Sequence, residues 1–175
     1  MPPSCAAPAP QQGNAVTDFA GLLGVLGKES VEYILVGGVA AAAHGSARLT
    51  QDVDIVYARP SENLARLVAA LGPFAPYPRG AQPGLPFRWS LETLKGGLNF
   101  TLTTALGDLD LLGEIAGGGR YKDLLEDAIV LKIFGIECRC VSLRRLILLK
   151  RAAGRPRDLD AIAELEAILE EGSAR

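Results

Sequence analysis

Asp52 and Asp54 stand one residue apart in the run DVDIVY, an apolar stretch rich in strand-forming residues. A β-strand alternates faces with period two, so both carboxylates leave the same side, roughly 6–7 Å apart along the chain. Two such acids repel each other and resist losing water. A cation bound between them removes both penalties, so the pair points to a metal-dependent active site. Hard divalent ions such as Mg²⁺ prefer a few carboxylates plus substrate phosphate oxygens to a full protein cage. A third acid would complete a two-metal site. Asp108 and Asp110 in GDLDLLGE are the candidates, on one side of a strand over residues 106–112. Asp110 is preferred, because Leu111 and Leu112 continue the buried run beyond it while Asp108 lies nearer the turn.

Gly37 and Gly38 precede the aspartate pair by about fifteen residues. They follow a short apolar strand and open a helix. Glycines there let a backbone approach a phosphate closely, and a helix start offers free N–H donors. Strand-to-helix turns also take glycine for backbone reasons alone. The segment from Arg139 to Arg157 carries seven basic residues and no acid. A positive field beside an acidic metal site suits a nucleoside triphosphate, and a solvated helix face is the plainer reading.

These groups need a scaffold. Hydrophobic periodicity predicts a helix over 16–26, capped by Thr17 or Asn14, then a strand over 33–36 and an alanine-rich helix over 39–44. The acid-bearing strand covers 52–57 and a helix covers 62–71. Residues 72–86 contain five prolines and three glycines, which marks a surface loop long enough to suspect a function. Short strands are expected over 87–90, 99–103 and 106–112, with a helical turn from Ser90 and a helix over 121–126. A hairpin over 129–134 and 136–141 turns at Gly135. Ser142 caps a helix over 143–153, Gly154 stops it, and Pro156 starts a last helix reaching Leu169. The expected fold class is α/β, a mixed sheet with helices packed on it and a short C-terminal helical tail. Residues 1–13 read as a disordered tail, 14–141 as the core and 142–175 as a helical appendix.

Bulk composition narrows the classes. The chain has 175 residues, 49% hydrophobic and 22% charged, and a net charge of −2. Mean hydropathy is +0.21. That suits a core-forming domain and excludes a disordered chain or a globally basic polyanion binder. No apolar run approaches the ~20 residues of a membrane helix. The opening MPPSCAAPAPQQ has no signal-peptide pattern, so a cytoplasmic protein is the expectation. Cys5, Cys138 and Cys140 have no metal-ligand spacing, and same-strand cysteines do not easily reach disulfide geometry, so reduced thiols are expected.

The stretch GGVAAAAHGSARLTQDVDI resembles the nucleotidyltransferase superfamily with the DNA polymerase β-like fold. It looks closest to the minimal, AbiEii-toxin-like branch, in which a Gly-Gly turn, a helix, an H-G-x-x-R-x-T-x-D-x-D run and a later acidic strand recur. The likeness covers residues 33–112 and returns in LLKRAAGRPRDLDAIAEL, similar to that branch's closing lysine and G-R-x-[KR]-D motif. It implies that Asp52 and Asp54 bind two Mg²⁺ ions, with Mn²⁺ able to substitute, and that Asp110 binds the second and helps activate an attacking hydroxyl. Gly37, Gly38, Arg48, Thr50, Lys150, Arg155 and Asp158 become the nucleotide-binding set, with the glycines on the triphosphate, Lys150 reaching the phosphates and Arg157 assisting. Many active members have serine where Gly38 stands, and Ser46 is too far along to replace it. The acceptor-gripping domain of larger members is missing, so a partner subunit or a homodimer is expected to supply it.

The reaction so implied moves a nucleoside monophosphate from a nucleoside triphosphate to a hydroxyl on RNA, protein or a small molecule. The alternative is a non-catalytic module of the same fold, acting as an antitoxin or regulator through a partner protein. His44, the only histidine, either acts as a base or hydrogen-bonds locally at the helix end. Phe87 and Trp89 either stack a base or pack in the core.

Overall fold

The computed structural model describes residues 16–173; the expected tail, Cys5 and the Asn14 cap lie outside them. Seven strands form one mixed sheet in the order β3-β4-β5-β2-β1-β7-β6. They are β1 Tyr33–Val36, β2 Asp52–Tyr57, β3 Tyr77–Pro78, β4 Asn99–Thr104, β5 Gly107–Leu112, β6 Ala128–Ile133 and β7 Ile136–Val141. The helices are α1 Phe19–Lys28, α2 Gly37–Ala43, α3 Ser61–Leu71, α4 Leu91–Gly96, α5 Tyr121–Leu125, α6 Leu143–Ala153 and α7 Pro156–Ser173. The fold class is thus mixed α/β. No helix among the described residues is long and apolar enough to cross a membrane.

The centre of the sheet explains itself from composition. All four residues of β1 are buried, as a strand covered on both faces requires. β1 pairs antiparallel with β2 and parallel with β7, while β2 pairs parallel with β5. Along β5 burial alternates strictly: Leu109 and Leu111 are fully enclosed, and Asp108, Asp110 and Leu112 on the other face are half-buried. One face of the sheet therefore serves the core and the other carries the acids. Leu146, Leu149 and Leu165 of α6 and α7 belong to the same continuous core as Leu22, Ile55 and Leu109.

Caps follow the sequence logic in most places. Ser142 Oγ accepts the Arg145 N–H, and Gly154 at φ 63° ends α6 in the left-handed conformation. Pro156 opens α7. The hairpin turns through Phe134 and Gly135, both at positive φ, the geometry that matches strand twist. Two expectations need correction. Asp18, not Thr17, caps α1, accepting from Gly21; the Thr17 hydroxyl instead joins the sheet, donating to the Gln51 carbonyl and accepting from the Asp108 N–H. Residues 87–90 join no ladder. Phe87 lies edge-on to Tyr77, and the Trp89 indole N–H donates to the Val68 carbonyl, so both rings pack rather than pair. The extra strand lies earlier, at Tyr77–Pro78 inside the proline-rich loop, on an edge where proline's missing N–H costs nothing.

Candidate metal centre

Register assembles the centre. In the parallel β2–β5 pair, Asp52 faces Asp108 and Asp54 faces Asp110. The four carboxylates thus occupy two adjacent rows on one sheet face. One oxygen each from Asp52, Asp54 and Asp110 lies within 4.8 Å of the others, a cluster able to hold a metal ion. Asp108 shares the face, but its carboxylate turns to Arg79, 3.3 Å away.

The Gly-Gly turn shapes this cluster directly. Gly37 has φ +66°, and a Cβ there would fall on the Asp54 carboxylate. A Cβ at Gly38 would fall on the Thr50 side chain. One glycine admits the acid and the other admits the threonine. The Gly38 N–H also bonds to Asp54, so this turn positions the metal-ligating acid as well as offering backbone near the site. The Thr50 hydroxyl lies 3.2 Å from the Asp52 carbonyl, steadying the entry to β2.

Burial and mutual repulsion set the electrostatics. Asp54 is pushed up to about 7, first by loss of water and then by the charges of Asp52 and Asp110; the Gly38 N–H and Lys150 oppose the shift. Asp110 is raised as well, mainly by burial, with Arg79 pulling against it. Burial is the larger cause for both, like charge adds to it, and the nearby cations compensate only in part.

A cavity of about 530 Å³ opens beside the cluster, and Gly37, Gly38, Arg48, Thr50, Lys150, Arg155 and Asp158 all line it together with Asp52, Asp54 and Asp110. Lys150 Nζ lies 3.4 Å from Oδ1 of the buried Asp158. Arg155 Nε stands 3.9 Å from the other Asp158 oxygen and is largely exposed. Arg157 lies on the same wall, while Leu112, Ile115, Leu149 and Ala152 make an apolar one. Arg48 pairs with Glu164 of α7 at 3.0 Å, and the same carboxylate accepts the Ala47 N–H. The loop that leads into the acid strand is thereby hooked to the last helix.

Three groups fall elsewhere. His44 caps α2, its Nε2 donating to the Val141 carbonyl at 2.7 Å, away from the acids. Cys138 and Cys140 are buried free thiols. Phe87 and Trp89 pack as described above. Two residues central to the arrangement went unnoticed in the sequence. Glu164 is one. Arg79 is the other: Nη1 lies 3.3 Å from Asp52, Nε 3.3 Å from Asp108 and Nη2 2.8 Å from Asp110. Its only sequence signal was membership of an unusually long loop.

No family model and no curated protein matches the chain.

Proposed function

We propose that this chain is a metal-dependent nucleotidyltransferase of the DNA polymerase β-like superfamily, moving a nucleoside monophosphate from a nucleoside triphosphate to a hydroxyl acceptor. The observation that carries the reading is the convergence of Asp52, Asp54 and Asp110 beside the Gly37-Gly38 turn, at the head of a cavity with a basic wall.

The donor set fits a hard divalent cation such as Mg²⁺ or Mn²⁺: three carboxylates, half-buried, with an arginine guanidinium seated among two of them as a ready-made positive occupant. Asp52, Asp54 and Asp110 would hold it. When bound, such an ion supplies Lewis-acid activation of the attacking hydroxyl and neutralises charge on the phosphates.

The chain's own groups supply the rest. Lys150, oriented by buried Asp158, presents its ammonium to the triphosphate from the cavity wall. Arg155 and Arg157 add positive charge at the cavity mouth. The Thr50 hydroxyl occupies space that a side chain at position 38 would need, and offers a polar contact where the superfamily's usual serine is replaced by glycine. The apolar wall of Leu112, Ile115 and Leu149 gives a base a dry surface. Catalysis on this plan is positioning and charge neutralisation.

Incubation with α-³²P-labelled nucleoside triphosphates and Mg²⁺ tests the proposal. Label should move to an acceptor with the wild-type chain and fail to move with Asp52→Asn or Asp54→Asn, both still folded. Transfer surviving in both variants would overturn the mechanism.

One observation favours a second reading. Arg79 already neutralises Asp52 and Asp110, as it would in a non-catalytic antitoxin or regulatory module in which arginine replaces the cation for good. That reading requires no Mg²⁺-dependent rise in melting temperature with any of ATP, CTP, GTP or UTP. A metal-dependent rise with one of them decides for the enzyme.

A further inference from the structure

We propose that Arg79 is a displaceable counter-ion: its guanidinium holds the carboxylate cluster closed until a divalent cation enters, and it leaves as the cation binds. The inference rests on the cation reading of the cluster and adds to it a resident competitor.

The contacts are specific. Nη1, Nε and Nη2 of one guanidinium each face a different carboxylate, those of Asp52, Asp108 and Asp110, at 2.8 to 3.3 Å. Nη2 also lies 3.2 Å from the Leu102 carbonyl. Two of the three candidate ligands are therefore engaged by Arg79, and among the described residues no other base pairs with either. Lys150, the other cation nearby, is held by Asp158. A divalent ion and a guanidinium at contact distance from the same carboxylates repel each other and compete for the same negative charge. Binding one must weaken the other.

The backbone supports such a swing. The Arg79 N–H donates to the Thr101 carbonyl at 2.9 Å, extending the β3–β4 ladder by one residue. Arg79, Thr101, Asp110 and Asp54 then form a row across the sheet. The arginine is anchored at its backbone and reaches the cluster over a small threonine. Beyond it Gly80 and Gly84, both at positive φ, have no neighbour where a side chain would lie, so the turn that follows Arg79 is not packed against the rest of the chain at these two points. Arg79 comes from the β3 edge and is not part of the cavity wall that carries Lys150. Its departure would therefore leave that wall undisturbed.

If the closed arrangement holds about nine-tenths of the metal-free molecules, removing it tightens cation binding about tenfold. Titrating Mn²⁺ into the metal-free chain, with free Mn²⁺ followed by electron paramagnetic resonance, reads this directly. Arg79→Gln should bind Mn²⁺ about tenfold more tightly than wild type, with Arg79→Lys in between because a point charge cannot bridge the carboxylates. In the wild-type chain, which needs no substitution, the Arg79 Nε–H resonance should move as Mg²⁺ is added. Equal or weaker Mn²⁺ binding in Arg79→Gln, or an unmoved Arg79 resonance at saturating Mg²⁺, would overturn the proposal while leaving the metal site standing. Failure of both proteins to bind Mn²⁺ would overturn the metal site and the counter-ion together. Should Arg79→Gln not fold without metal, the wild-type resonance decides alone.

Discussion

Asp54 is the residue on which the chemistry of the centre turns. Burial first, and then the charges of Asp52 and Asp110, push its carboxyl up to about 7 from an ordinary 3.8. The folded state thus holds the Asp54 proton more firmly than the unfolded chain does. The stability this contributes is fully present below pH 3.8 and is lost as pH rises through about 7. Asp110 shifts in the same direction. Metal-free protein should therefore unfold at lower urea concentration at about pH 8 than at about pH 5, and Asp54→Asn should flatten that difference. Metal binding should show the converse: Mn²⁺ affinity rises with pH up to about 7, because the cation must displace the Asp54 proton. Calorimetric titration across that range checks it. The period-two pair itself was legible in the sequence, because alternation is a local property of a strand. The size of the Asp54 shift was not, since burial in the folded chain dominates it and Asp110 on another strand adds to the charge of Asp52.

At the scale of elements, the glycine start of α2 and the polar anchor in α3 carry the most weight. Gly37 combines φ +66° with a Cβ position already filled by Asp54. Gly37→Ala should cost about 1–3 kcal/mol of stability and weaken Mn²⁺ binding, read by urea denaturation and titration of the same variant. Asn63 of α3 is buried, accepting the Glu32 N–H and donating to the Glu32 and Ala58 carbonyls. It ties the start of β1 to the end of β2. Asn63→Ala leaves these groups unpaired and should cost about 2–3 kcal/mol, measured by the same denaturation. Elements with strong local signals were legible: the β1 run, the Ser142 cap, the Gly135 hairpin and the Pro156 start. Residues 87–90 misled because bulky apolar side chains suit a strand and a packed loop equally, and only Val68 and Tyr77 decide between them. The two-residue β3 carries no periodicity at all, and with it Arg79 was hidden.

Across the whole molecule, the site depends on pairings far apart in sequence. Arg79 reaches the acids only because β3, β4, β5 and β2 lie side by side in that order. Glu164 holds Arg48 and the Ala47 N–H from the last helix. No spacing rule links such positions, so composition and motif could name the ligands but not their counter-charges. Glu164→Ala removes an exposed pair and should leave the melting temperature close to that of the wild type. It should nonetheless raise the KM for the nucleoside triphosphate several-fold with little change in kcat, because the loop carrying Arg48 and Thr50 loses its hook to α7; steady-state kinetics beside a melting curve separate the two effects. The most direct test of the cation centre is diffraction from crystals of the full chain soaked in Mn²⁺, with data collected to record its anomalous signal. The expected result is an anomalous peak among Asp52, Asp54 and Asp110 with the Arg79 guanidinium drawn away from them. Crystals that take up Mn²⁺ elsewhere, with Arg79 still seated on Asp52 and Asp110, would contradict it.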